Sequence, residues 1–328
     1  MKTTVEIFSA LGERLAVLGR DERSREVVRR AMADNEWFAE RDIEQAVDAI
    51  CRQMLRREKI NQWLARYDVP QRNPKRVAII MAGNIPAVGF FDLMCVLACG
   101  CVPQVKYSSK DRALMEYIVA LLREIEPNLL IEEYREGVFP DAVIATGSDS
   151  SNIHFRNAFG QIPHLLRGSR HSVAVLSGDE TSEELEALSG DVFSYSGLGC
   201  RSVSLIFAPQ GAEFVLPSRE MCRGYHNNYL QTRAMLTMSG CEFCDTGECV
   251  LVEGVAEFPK RLSRVNVCRY SSIEDVEQWL SANDERLQCV VSKMRVHPRT
   301  VPIGMAQYPA LDDYADDVDV MEFLLGLD

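Results

Sequence analysis

Apolar positions recur at helical spacing through Ile43, Val47, Ile50 and Met54 among dense Arg and Glu, so residues 1 to about 68 predict helices. That stretch carries no catalytic pattern and reads as a cap or arm. The turn sequence Asp68-Val69-Pro70-Gln71-Arg72-Asn73-Pro74 closes it, and the period then changes. Short apolar runs at 77–81, 102–106, 129–131, 142–145 and 172–176 predict buried parallel strands, with helices at about 89–99, 110–124 and 151–158 between them. A second such stretch continues through 205–207, a long helix after Pro217, 250–252, a helix at about 272–283, and 289–291. Strand and helix alternate as in a doubly wound sheet, so the fold class is α/β. The first half reads as a nucleotide domain and the second as a catalytic domain.

A chain of 328 residues, 47% hydrophobic and 26% charged, can bury a large core and suits two domains. Its opening residues run into charged helical sequence with no apolar leader, so the expected location is cytoplasmic. A formal charge of −12, with no basic run to offset it, argues against nucleic acid and membrane partners. The eleven cysteines are scattered, Cys95, Cys99, Cys101 and Cys289 in apolar runs, as reduced structural thiols are. The last residues combine an acidic run (Asp312, Asp313, Asp316, Asp317, Asp319) with an apolar end at 321–325. They read as a solvated face with an anchor, or as a segment packing onto another subunit.

Three loops follow predicted strands. Met81-Ala82-Gly83-Asn84-Ile85-Pro86 places Gly83 and Asn84 where α/β ligands bind, although both are also ordinary turn residues. Lys106-Tyr107-Ser108-Ser109-Lys110 brings a cation and hydroxyls to the next strand end; Lys106 either bonds a ribose or phosphate or is simply solvated. Thr146-Gly147-Ser148-Asp149-Ser150-Ser151 leads into a helix and leaves backbone N–H groups for an anion. No GxGxxG or P-loop is present.

The strongest local feature is Phe193-Ser194-Tyr195-Ser196-Gly197-Leu198-Gly199-Cys200-Arg201-Ser202. Small residues, an adjacent cation and a possible helix start around Cys200 are what expose and activate a thiol, against the alternative of a buried structural cysteine. Cys241, Cys244 and Cys249 include one CxxC but lack a fourth zinc ligand at usual spacing, so free loop thiols compete with a metal and no metal is expected. The five histidines form no Cys-His hydrolase spacing, but a cysteine acyltransferase or thioesterase stays open.

At these loops the sequence resembles the LuxC-like acyl-CoA reductase family of the aldehyde dehydrogenase superfamily. The matching stretches are Ala82-Gly83-Asn84-Ile85-Pro86-Ala87-Val88-Gly89-Phe90, Val105-Lys106-Tyr107-Ser108-Ser109-Lys110-Asp111, Ala145-Thr146-Gly147-Ser148, Ser172-Val173-Ala174-Val175-Leu176, the stretch from Phe193 to Arg201, and Ala306-Gln307-Tyr308-Pro309 through Asp316. The resemblance implies an aldehyde dehydrogenase-like fold: a helical N-terminal segment at 1–70, a Rossmann-like nicotinamide domain at 71–170, a catalytic domain at 171–295 and a tail at 296–328. It implies that Cys200 attacks a fatty acyl thioester, of CoA or of a protein, and that Asn84 donates to the oxyanion with the Cys200 N–H. It implies cofactor contacts from Lys106, Ser108, Ser109, Gly147 and Ser148, and a homo-oligomer.

Two departures refine this. Oxidising superfamily members carry a water-activating Glu where this chain reads Arg167-Gly168-Ser169-Arg170-His171-Ser172, which favours reduction. NAD-preferring members carry Glu where this chain has Ser109, followed by Lys110, which favours NADPH, with NADH as the second choice. The later Glu-x-Phe motif that orients the nicotinamide ribose is not found. The rival readings are the thiol acyltransferase or thioesterase and an inactive scaffold on the same fold.

Overall fold

A computed structural model describes residues 2–69, 73–254 and 256–327. The middle of the expected turn, residues 70–72, and the expected boundary between 70 and 71 lie outside the described residues. The chain divides into two compact units, Met1–Ser169 with Tyr308–Asp328, and Arg170–Gln307.

The first unit opens with α1 (Thr4–Leu15), α2 (Glu22–Asp34), α3 (Glu40–Gln53) and α4 (Arg57–Leu64). Reciprocal side-chain bonds between Thr3 and Glu6, and between Asp21 and Ser24, start the first two. Ile7, Phe8 and Leu11 of α1 and Val47 and Ile50 of α3 bury against Val77, Ile79, Phe90 and Leu93, so the helical segment shares the core of the sheet that follows.

That sheet is built from β1 (Arg76–Ile80), α5 (Phe90–Ala98), β2 (Val102–Lys106), α6 (Arg112–Ile125), β3 (Glu132–Glu133), β4 (Ala142–Thr146), α7 (Asp149–Phe159) and β5 (His164–Arg167). Among the described residues its strands run in the order β3-β2-β1-β4-β5, all parallel. The order reverses between β1 and β4, which is where such a sheet opens a crevice at its carboxyl edge. The strand expected at 129–131 forms as a loop instead. Leu130 is 64% exposed while Ile131 is buried, and the edge goes to the acidic pair Glu132–Glu133, which discourages further pairing.

The second unit contains β6 (His171–Val175), α8 (Ser182–Phe193), β7 (Val203–Pro209), α9 (Arg223–Met238), β8 (Cys244–Asp245), β9 (Val250–Glu253), β10 (Arg264–Tyr270), α10 (Ile273–Ala282), β11 (Leu287–Val291) and β12 (Thr300–Val301). Its sheet runs β12-β11-β6-β7-β10-β9-β8, with β8 and β9 antiparallel. Val173, Val175, Leu205, Phe207, Leu280 and Val290 fill one face of it.

The chain then returns to the first unit and ends in α11 (Val320–Leu325). Val320, Met321 and Leu324 are fully buried in the core beside α5. Trp63 Nε1 donates to Tyr314 Oη at 2.8 Å, and Tyr67 Oη to Asp319 Oδ2 at 2.6 Å. The apolar end of the acidic tail therefore anchors on its own chain. Among the described residues no helix is long and apolar enough to cross a membrane.

Candidate functional site

In the first unit the expected ligand residues all fall at the carboxyl ends of β1, β2 and β4. Gly83 follows β1, and a Cβ there would come within 2.8 Å of the Ser108 Cβ and 3.1 Å of the Lys110 Cβ. The loops after β1 and β2 thus touch, which is why only glycine fits. The Gly83 carbonyl accepts from Asn35 Nδ2 at 3.2 Å, a buried anchor at the end of α2. Asn84, half-buried, is next along this pinned loop. Ala87, three residues on, holds φ at 53°, a sparsely populated conformation for a residue with a side chain.

Lys106 is exposed at the end of β2, its ammonium 5.7 Å from the Tyr134 ring centre. Ser108 Oγ accepts from the Lys110 N–H at 3.3 Å, and Ser109 is exposed in the same turn. Asp111, which follows, is buried, and burial pushes its carboxyl well above the usual range. At the end of β4, Gly147 donates to the Arg167 carbonyl at 3.1 Å, and its missing Cβ leaves room for Ser151, 2.9 Å from where that carbon would stand. Ser148 caps α7, accepting from Ser151 N at 3.2 Å, and its hydroxyl lies 2.8 Å from that of Ser150. An exposed helix start with three hydroxyls, beside a glycine and separated by β1 from the lysine-bearing end of β2, suits a phosphate-bearing ligand.

Arg167 closes β5 but points inward. Its Nη1 meets both Asp92 oxygens, at 2.8 and 2.7 Å, in the core beneath α5. Burial disfavours its charge, yet Asp92 more than compensates and holds the proton on more firmly.

In the second unit the chain leaves α8 and passes through Tyr195 and Ser196 (φ 55° each) and Gly197 (φ 67°), three consecutive left-handed residues. Two of them carry side chains, so the loop is strained and must be held by its surroundings. Tyr195 and Ser196 are indeed buried, and Ser196 Oγ lies 3.2 Å from Cys222 Sγ, the cap of α9. Cys200 comes next, half-buried in a turn closed by Ser202 N to Gly199 O at 2.9 Å. It does not begin a helix: the turn feeds β7 directly. Nor does it lie at a carboxyl edge. Because α8 starts beyond the carboxyl end of β6 and runs back, the loop emerges at the amino edge of the second sheet.

Three features of this loop escaped the sequence reading. Ser172 Oγ donates to the Cys200 carbonyl at 2.8 Å. Asp191 accepts from Gly304 N at 2.6 Å and Ala306 N at 3.0 Å, and Gln307 Nε2 donates to Ser202 Oγ at 3.5 Å. Burial pushes the Asp191 carboxyl up to about 7, against the pull of the two N–H donors and Arg219. An acid inside the apolar helical run Ala187-Leu188-Ser189-Gly190-Asp191-Val192-Phe193 was the available signal.

Among the described residues no cluster of three His, Cys, Asp or Glu could hold a metal. Cys244 is exposed, whereas Cys249 is buried and its thiol is pushed up to about 12. The His171 ring stacks on Phe258, centres 4.3 Å apart, and His297 Nε2 lies 3.0 Å from Asp284 Oδ1.

The sequence matches no protein-family model and no curated protein. Solved structures do match. Aldehyde dehydrogenase 21 from Physcomitrella patens, in complex with the reaction product succinate, aligns at TM-score 0.65 and 11% identity, over 98% of this chain and 84% of that one. The fold is that of the aldehyde dehydrogenases. An NAD+ complex of the Bacillus cereus aldehyde dehydrogenase aligns at TM-score 0.59 and 16% identity, covering 90% of this chain and 72% of that one. A propionaldehyde dehydrogenase from the Clostridium phytofermentans fucose utilisation bacterial microcompartment aligns at 0.59 and 10%, covering 89% and 78%. Within the aldehyde dehydrogenase fold, the two sheets of this chain thus carry separate chemistry: hydroxyls, glycines and a lysine on the first, a constrained thiol on the second.

Proposed function

We propose that this protein is an NADPH-dependent acyl-CoA reductase that carries the acyl group on Cys200 before releasing it as the aldehyde. The observation that carries this is the half-buried Cys200, held in a turn behind three left-handed residues, in a chain with the aldehyde dehydrogenase fold. Its thiolate attacks the thioester carbonyl, the CoA thiolate leaves, and the acyl group stays on sulfur. Asn84 is assigned the hydrogen bond to the developing oxyanion, with its loop fixed by Asn35. When bound, the nicotinamide supplies the hydride that reduces the acyl carbon. Expulsion of the Cys200 thiolate then frees the aldehyde.

The exposed start of α7 at Ser148, and Lys106 and Ser109 after β2, fit a phosphate-bearing dinucleotide, with Gly147 letting Ser151 of that helix start pack close. A structural neighbour that binds NAD+ supports a nicotinamide; the absence of an acid at Ser109 supports NADPH over NADH. The stretch Arg167-Gly168-Ser169-Arg170-His171-Ser172 supplies no carboxylate of its own to activate water, and the Asp149 carboxylate beside it accepts from the Ser169 N–H at 3.1 Å, which favours reduction over oxidation.

Incubation with a fatty acyl-CoA and no nicotinamide should leave a thioester on wild type and none on Cys200→Ala, read by intact mass. Adduct persisting in Cys200→Ala removes Cys200 from the mechanism. Adding NADPH should then reduce the thioester to the aldehyde, with NADPH consumed in step with thioester loss and, over further turnovers, with CoA release; continued CoA release without NADPH consumption identifies a thioesterase or acyltransferase instead.

A further inference from the structure

We propose that Ser172 is the positioning residue of the nucleophile loop, fixing Cys200 through its main chain; this rests on the acyl-enzyme reading above. Ser172 is fully buried at the start of β6, and its hydroxyl has three neighbours. The Cys200 carbonyl lies 2.8 Å away, the Cys289 backbone nitrogen 3.2 Å and the Cys289 Sγ 3.2 Å. The directions are fixed by chemistry. A carbonyl only accepts and a backbone N–H only donates, so the single serine proton goes to Cys200, and the oxygen accepts from Cys289.

The sheet is shaped around this residue. The register of β6 against β7 shifts between Ser172 and Val173, and that of β11 against β6 shifts between Leu287 and Val290, the interval containing Cys289. Such irregularities re-aim side chains, and both fall at the strand ends beside the Cys200 turn. There the serine hydroxyl, in place of a ladder bond, ties the turn to β11. The anchored carbonyl belongs to Cys200 itself, so the tether limits the ψ rotation that would swing the residue, and with it the thiol. A buried hydroxyl with no room to re-orient is well suited to that task, because its donor has no competing water.

The test uses the full chain as wild type, Ser172→Ala, Ser172→Cys and Ser172→Thr. Single-turnover acylation of Cys200 by acyl-CoA should slow about tenfold or more in Ser172→Ala, the effect expected for losing one buried hydrogen bond that orients a reactive group. The acyl-CoA KM should stay near wild type, since the serine holds the nucleophile and not the substrate. Ser172→Thr, which keeps the hydroxyl, should recover most of the rate. Ser172→Cys, with a weaker donor of similar size, should also be slow, and it decides the matter if Ser172→Ala does not fold. Wild-type acylation in either folded variant overturns the proposal, and loss of folding in both reduces Ser172 to a stability residue and overturns it too.

Alkylation of Cys200 by iodoacetamide, followed by peptide mass, reports the loop without any acyl substrate. A changed alkylation rate in Ser172→Ala, with no thioester on wild type, would keep the anchor and sink the acyl-enzyme reading. Unchanged alkylation and acylation would do the reverse.

Discussion

Arg167 and Asp92 form an ion pair in which each side chain is only 7% exposed, the guanidinium Nη1 lying between both carboxylate oxygens. The pair joins the last strand of the first sheet to the helix after its central strand. Removing one partner leaves the other charge in a medium that cannot solvate it. Asp92→Ala should therefore destabilise the first unit by about 3–5 kcal/mol, whereas the double variant Asp92→Leu/Arg167→Met should recover much of the loss. Urea unfolding followed by the fluorescence of Trp63, which lies in that unit, measures both. A single variant as stable as wild type would show the pair to be dispensable.

Asp191 gives a pH dependence whose sign follows from its burial. Its folded pKa, about 7, lies above the ordinary value of 3.8, so the folded state holds this proton more tightly than the unfolded chain. The stability it contributes is present in acid, declines as pH rises from about 4 to about 7, and is flat above that. The neighbouring charge is Arg219, which also bonds the Glu186 carbonyl on α8 and tempers the effect. Asp191→Asn should flatten the stability difference between pH 5 and pH 8 by on the order of 2–3 kcal/mol. Thermal melts of both proteins across that range test it; parallel curves would count against the assignment.

Gly83 and Ser108 should be coupled. Gly83→Ala puts a carbon 2.8 Å from the Ser108 Cβ and should cost about 1–3 kcal/mol. Ser108→Gly in the same chain removes that contact and should restore part of the loss, leaving Lys110 as the residual clash. A double-mutant cycle with no interaction energy would mean that the two loops move apart freely.

Cofactor choice should respond to Ser109. A carboxylate there would repel a 2′-phosphate and offer a ribose hydroxyl an acceptor, so Ser109→Glu should shift the NADPH/NADH specificity ratio toward NADH by about 1–2 kcal/mol. Lys106→Ala should weaken both cofactors. An unchanged ratio of kcat/KM values in Ser109→Glu would place 2′-recognition elsewhere.

The fold was largely legible because buried parallel strands announce themselves as uninterrupted apolar runs: β1, β2, β4, β6 and β11 were expected within a residue or two of where they lie. β10, inside the second sheet, was passed over because Asn266 interrupts its run. That asparagine is nevertheless buried, its Nδ2 donating to the Glu257 carbonyl at 2.6 Å, a solution local composition does not reveal. The loop around Cys200 was conspicuous by its glycines. Its supports were not, because Ser172, Asp191 and Cys222 are distant in sequence or ordinary in kind and gain meaning only from tertiary contacts. The 129–131 error has the same origin: apolar residues that seal a core from a loop look, in one dimension, like those that build a strand.

The return of the chain to the first unit bears on how the protein is made. Trp63 waits for Tyr314 and Tyr67 for Asp319, partners roughly 250 residues further along, and α5 lacks Val320, Met321 and Leu324 until the whole of the second unit has been made. The unit Arg170–Gln307 draws on one continuous stretch and can close as soon as it clears the ribosome. The first unit, begun before the second, is thus completed after it, and in the interval it carries an open apolar face that makes the nascent chain a client for chaperones.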